Sequence, residues 1–250
     1  MDVGAYLERL GYDGPLAPTL ETLRGLHEAH YRTVPFENLD IALGRPITLG
    51  EAALFDKIVA RRRGGFCYEL NGLFAALLRA LGFRVTLLSA GVLSQIHGDF
   101  GPEFDHLALR VDLAEPWLAD VGFGDAFCRP LQLGARDEQR DPEGVFRIAE
   151  FDGWHVLEAQ DAEGGWRPEY RFTLMPRALS DFAARCHYHQ TSPDSGFTRH
   201  STCSLPTATG RATVSDRRLI VTTDGVRRET ELPDEAARAA ALREWFGIVV

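Results

Sequence analysis

A cysteine preceded by two glycines and followed by a helical apolar stripe is the first feature of this chain that could do chemistry. The run Arg61-Arg62-Arg63-Gly64-Gly65-Phe66-Cys67-Tyr68-Glu69 leads into Leu70, Leu73, Phe74, Leu77, Leu78 and Leu81, spaced as one face of a helix that stops at Gly82. Cys67 therefore falls in the first turn of a buried helix, where unpaired backbone N–H groups and the macrodipole favour a thiolate. Gly64 and Gly65 clear space in front of the sulfur for an incoming carbonyl. A buried cysteine serves equally well as a small hydrophobe, so a nucleophile requires a base and an acid to orient it.

His106 and Asp120 can meet that need. His106-Leu107-Ala108-Leu109-Arg110-Val111 alternates as a strand, and Trp117-Leu118-Ala119-Asp120-Val121 reads as the strand that returns beside it. Joined by an odd-numbered loop, Asp112-Leu113-Ala114, the strands set His106 directly opposite Asp120, on the side away from Leu107 and Leu109. An even-numbered loop would put them on opposite faces. An imidazolium held by Asp120 would balance a Cys67 thiolate, which predicts a resting ion pair despite the desolvation of a buried sulfur.

These residues must be positioned by an ordinary globular chain. It has 250 residues, 45% apolar and 25% charged, enough for a sizeable core in one or two domains. A net charge of −9 argues against a nucleic-acid partner. No secretory signal or membrane span is visible, and the four cysteines (67, 128, 186 and 203) form no C-x-x-C pair, so a cytoplasmic protein is expected. Residues 1–82 read as helical, with Asp2 and Thr19 as caps, a stop before Pro35, a loop over Pro35–Asp40 and a helix over Glu51–Arg61. Arg61–Arg63 suits a solvated helix end or a phosphate contact. His27 and His30 are three apart rather than the four a zinc-protease helix needs, so no metal site is expected. Residues 83–190 carry strand patterns and turn signals at Asp152-Gly153 and Glu163-Gly164-Gly165. Residues 191–250 add a hairpin at Asp224-Gly225 and a closing helix capped by Asp234.

Arg63-Gly64-Gly65-Phe66-Cys67-Tyr68-Glu69-Leu70-Asn71, His106-Leu107 and Asp120-Val121-Gly122-Phe123-Gly124, in order and at compatible spacing, strongly resemble the arylamine N-acetyltransferases. Val34–Leu39 and Thr191-Ser192-Pro193 with Phe197 extend the likeness from about residue 5 to the last helix. The resemblance implies an α+β fold with a papain- and transglutaminase-like thiol-enzyme core. It comprises a helical domain (1–82), a central β-barrel domain (83–190) and a C-terminal α/β lid (191–250). It also implies Cys67, His106 and Asp120 as a catalytic triad. Acetyl-coenzyme A would be the cosubstrate, with no permanently bound cofactor, and a small aromatic amine, hydrazine or arylhydroxylamine the acceptor. Phe36, Phe123 and Phe197 fall at acceptor positions, and Gly98, Gly101 and Tyr188 near coenzyme A. Competing readings are an amide synthase of the same fold closing a macrolactam, a thiol hydrolase, and a binding protein without turnover. Oligomeric state, acyl length and physiological acceptor are not written in the sequence.

Overall fold

In the computed structural model, which describes residues 1–94 and 98–249, the helices begin at the expected caps. Asp2 accepts from Ala5 N–H to open α1 (Val3–Leu10), and Thr19 accepts from Thr22 N–H to open α2 (Leu20–Thr33). The segment expected as a loop is instead a short strand, β1 (Phe36–Glu37), followed by a helical turn, α3 (Leu39–Ala42). Its order comes from distant chain, since Glu37 N–H donates to Gly65 O at 2.9 Å. The helix expected over Glu51–Arg61 divides into α4 (Glu51–Phe55) and a π-helical turn, Asp56–Ala60, whose Lys57 is buried. The cysteine helix, α5 (Cys67–Ala80), crosses the core, and Gly82 takes a positive φ of 89° just beyond it.

Eight strands follow: β2 (Arg84–Val92), β3 (His106–Asp112), β4 (Pro116–Ala119), β5 (Leu131–Gln132), β6 (Gln139–Asp141), β7 (Gly144–Phe151), β8 (Trp154–Gln160) and β9 (Trp166–Phe172). They form one sheet in the order β5-β4-β3-β2-β9-β8-β7-β6, curled into a nearly closed barrel. The side chain of Gln139 links the two edges. Its Oε1 accepts from Gln132 N–H at 2.7 Å and its Nε2 donates to Gln132 O at 3.1 Å, replacing a ladder pair between β5 and β6. Asp152 and Gly153 turn β7 into β8 with positive φ at both, as their types predict.

The remaining chain forms α6 (Ala183–Thr191), α7 (Gly196–Arg199), β10 (Thr202–Thr207), β11 (Gly210–Ser215), β12 (Arg218–Thr223), β13 (Val226–Glu231) and α8 (Glu235–Phe246), the last capped by Asp234. A second antiparallel sheet runs β1-β10-β11-β12-β13, so a strand from near residue 36 edges the C-terminal sheet. The fold is α+β, as the sequence implied.

The alternation of β3 and β4 divides the core. Leu107, Leu109, Val111 and Ala119 pack with the α5 residues Leu70, Leu73 and Phe74, while Ala108 and Leu118 join the barrel interior. At ~25 cal/mol per Å² of apolar surface removed from water, each fully buried leucine of this seam contributes about 1.5–3 kcal/mol. That burial fixes which way the strands face, and so which way His106 and Asp120 face.

Candidate active site

The observed register differs from the expected one by two residues. The loop is Leu113–Glu115, and Leu109 pairs with Ala119, Arg110 with Leu118 and Asp112 with Pro116. His106 and Asp120 are therefore diagonal neighbours, not directly opposed. Because the slip is even, both keep the same face, and side chains span the diagonal. His106 Nε2 lies 2.6 Å from Asp120 Oδ2, with both residues buried.

Asp120 ends the strand because its groups are claimed by side chains. Its N–H donates to His27 Nε2 at 2.9 Å, and its Oδ1 accepts from Asn71 Nδ2 at 2.8 Å and from Gly122 N–H at 3.0 Å. Asn71 also donates to Leu107 O at 2.6 Å and accepts from Val121 N–H at 2.9 Å. One amide on the cysteine helix thus ties the histidine strand to the aspartate turn. Burial pushes the Asp120 carboxyl up, but the His106 charge, its hydrogen bond and the Asn71 and Gly122 donors outweigh it and hold the group below the usual range.

Cys67 is the first residue of α5, and Asn71 lies one turn beyond it on the same face. The glycine that touches the cysteine is Gly122, where a Cβ would fall 2.9 Å from Cys67 Cα. Gly64 and Gly65, expected to clear space before the sulfur, do something else. A Cβ at Gly64 would sit 1.9 Å from Pro35 O, and one at Gly65 2.7 Å from Glu69 Cβ, so both admit the chain's own segments. The expected acidification of the thiol is not met for the sulfur taken alone. Burial pushes Cys67 well above the ordinary thiol value, and the charges of Asp120 and Asp105 act the same way, against a lowering Leu107 backbone N–H. A thiolate here needs a neighbouring cation, and His106 is the titratable group held beside Asp120.

The start of α5 stands on a buried ionic cluster that sequence reasoning missed. Glu69 Oε2 accepts from Phe66 N–H at 3.1 Å, and Lys57 Nζ lies 2.8 Å from Glu69 Oε1 and 2.9 Å from Asp40 Oδ2. Arg63, neither a solvated helix end nor a phosphate contact, is buried against Glu37 and Asp40 at 2.8 and 3.1 Å. Three carboxylates thus share two cations in the interior. Burial and the charge of Glu37 raise Glu69 to about 7, against Lys57. Lys57 is the only lysine in the chain, and that rarity was the available sign of its special place.

The aromatic residues form two groups at the site. Phe123 meets His106 edge-on at 5.3 Å and Tyr170 at 5.2 Å, and the Tyr170 ring lies 5.0 Å from His106. Phe197 packs on Phe66 at 5.6 Å and on Phe36 at 6.2 Å. A Cβ on Gly124 would be 3.3 Å from the Phe36 ring, so the glycine turn touches both groups. Arg211, also unforeseen, secures that turn from β11 by donating to Gly124 O and to Tyr31 Oη, each at 2.6 Å.

Of the three residues assigned to coenzyme A, Gly98 is exposed with open space around its Cα. Gly101 is packed so closely that a Cβ would lie 2.6 Å from Asp105 Oδ2. Tyr188, on α6, has the Arg185 guanidinium 4.0 Å above its ring. Gln95, Ile96 and His97 of the same loop lie outside the described residues. His27 and His30 serve structure. His27 Nδ1 meets Cys128 O at 2.8 Å, and His30 Nε2 meets Tyr6 Oη at 3.0 Å. Among the described residues, no three His, Cys, Asp or Glu side chains are grouped to hold a metal.

Comparison with known proteins meets this geometry directly. The family model described as N-acetyltransferase matches residues 19–250. An arylamine N-acetyltransferase of Mycolicibacterium smegmatis is 38% identical over 254 residues, covering 99% of this chain and 92% of the relative. The solved arylamine N-acetyltransferase of Salmonella typhimurium superposes with a TM-score of 0.92 at 34% identity, over 98% of this chain and 90% of that one. That of Mycobacterium marinum, solved in complex with CoA, superposes at 0.90 with 33% identity, over 99% and 93%. The His106–Asp120 contact, tied by Asn71 to the helix that Cys67 begins, therefore stands in the matching fold, and the chain belongs to the arylamine N-acetyltransferase family.

Proposed function

We propose that this protein moves an acetyl group from acetyl-coenzyme A through a Cys67 thioester to an arylamine, hydrazine or arylhydroxylamine. The observation that carries the reading is the buried 2.6 Å contact of His106 with Asp120, bound through Asn71 to the helix that Cys67 begins. The donor follows from the relative solved with CoA, and the acceptor class from the family's name. In this reading residues 1–82 supply the nucleophile, 83–190 the base and its acid, and 191–250 an acceptor wall. No described helix is long and apolar enough to cross a membrane, and we assign the activity to the cytoplasm.

Asp120 accepts the Nε2 proton of His106, which leaves Nδ1 as the basic nitrogen. His106 takes the Cys67 proton, and the sulfur attacks the thioester carbonyl. The tetrahedral oxyanion meets the Cys67 backbone N–H at the helix start. It collapses with loss of the coenzyme A thiolate, which receives the proton from His106. The amine nitrogen then attacks the Cys67 thioester while His106 takes an amine proton, and the Cys67 sulfur departs. Arylamines are weak, neutral nucleophiles, so a flat apolar wall that excludes water protects the acyl-enzyme from hydrolysis. Phe36, Phe123 and Phe197 form that wall, and Gly98, Gly101 and Tyr188 lie on the coenzyme A side.

The test is release of free coenzyme A thiol, with and without a simple arylamine. Transfer predicts one fast equivalent without amine and sustained release with it. Sustained release without amine would make the protein a thiol hydrolase and overturn the reading.

A further inference from the structure

One further buried histidine, His189, is left unused by the reaction as described. His189 sits on α6, one turn after Arg185, and both side chains reach Asp105, the residue preceding His106. Arg185 donates to Asp105 Oδ1 from Nε at 2.9 Å and from Nη2 at 2.6 Å. His189 Nε2 lies 3.3 Å from the same oxygen without a hydrogen bond of its own. On its other side, Nδ1 is 3.1 Å from Ser195 Oγ, and that oxygen accepts the backbone N–H of Phe197 at 3.2 Å. The imidazole ring also meets Phe197 edge-on at 5.1 Å.

The geometry points to His189 as a positioning residue that fixes Phe197, and through it the acceptor side of the site, by way of Ser195. Three features support this. Asp105 orients the tautomer: a proton on Nε2 faces the carboxylate, so Nδ1 accepts from the Ser195 hydroxyl. That hydroxyl, its proton committed to His189, keeps its lone pair for Phe197 N–H. The chain is also buried, with Ser195 at 3% and His189 at 7% exposure, so water does not replace a lost partner. Asp105 thereby links the strand that begins with His106 to the wall that includes Phe197. The inference rests on the reading of Phe197 as an acceptor contact.

The test compares the two half-reactions in His189→Leu, His189→Asn, Ser195→Ala and the double variant His189→Leu/Ser195→Ala. Acetylation of Cys67 by acetyl-coenzyme A should change by no more than about twofold in each. The arylamine KM should rise about tenfold in His189→Leu and in Ser195→Ala, about 1.4 kcal/mol, which is within the range for loss of a helix cap. His189→Asn, whose side chain places a polar atom near the Nδ1 position, should recover most of the rise. The double variant should match the worse single variant, because both cut one chain. An unchanged arylamine KM in folded His189→Leu and Ser195→Ala, equal losses in both half-reactions, or a double variant near a hundredfold would each overturn the inference. Ser195→Ala alone decides it if His189→Leu does not fold. A wild-type protein that never acetylates Cys67 would instead remove the proposed activity.

Discussion

Replacing Asp120 with asparagine changes almost no volume and inverts the hydrogen bonding of the site. The Asp120 carboxylate receives three donors, His106 Nε2, Asn71 Nδ2 and Gly122 N–H, and the residue is 1% exposed. Asparagine has one acceptor oxygen, so its NH2 group must face a donor in either orientation. With the NH2 toward Asn71 and Gly122, two buried donors lose their acceptor, at about 1–3 kcal/mol each. With the NH2 toward His106, one contact fails, and the imidazole recovers it by moving its proton from Nε2 to Nδ1. The second arrangement is cheaper, and it leaves no basic nitrogen for Cys67. Turnover in Asp120→Asn should fall about 10³–10⁴-fold, as a carboxylate-to-amide change does in a comparable triad. The assay is steady-state acetylation of an arylamine, with thermal unfolding and circular dichroism confirming the fold. A folded Asp120→Asn protein within tenfold of wild type would refute the reasoning.

Two further outcomes follow from the electrostatics. Removing His106 takes away the cation that a buried Cys67 thiolate needs, so alkylation of Cys67 by iodoacetamide in His106→Ala should shift above the ordinary thiol range of about 8.5. A His106→Ala profile matching wild type would show that burial and the nearby carboxylates do not control the sulfur. Glu69, at about 7 in the fold, binds its proton more tightly there than in the unfolded chain. Its contribution favours folding below the ordinary glutamate value of ~4.5 and is lost as pH rises toward 7, a change on the order of 3 kcal/mol. Glu69→Gln, which can still accept from Phe66 N–H, should flatten that decline in denaturant unfolding between pH 5 and 8. An unaltered slope would contradict it.

Much of this site was legible because its signals are local. The period of Leu70–Leu81 fixed the cysteine helix, and the alternation around Leu107 and Leu118 set the facing of His106 and Asp120. A register error of two residues did no harm, since facing depends on parity. What stayed hidden depends on partners far apart in sequence. Phe36–Glu37 is a strand because residues near 65 and 203 bond to it, and Asp120 leaves its strand because His27, 93 positions earlier, takes its N–H. Arg63 read as a solvated helix end or a phosphate contact, whereas in the fold Glu37 and Asp40 converge on it and Lys57 joins them to Glu69. Gly64 and Gly65 read as access to the sulfur, although Pro35 and Glu69 are what they admit.

The most direct test of the account is the mass of the peptide containing Cys67 after the protein meets acetyl-coenzyme A with no amine present. A covalent relay predicts one acetyl group on Cys67, lost again when an arylamine is added, and none on the free, buried Cys128, Cys186 or Cys203. Turnover that proceeds while the Cys67 peptide stays unmodified would mean direct transfer between the two substrates, and the thiol would have no place in the chemistry.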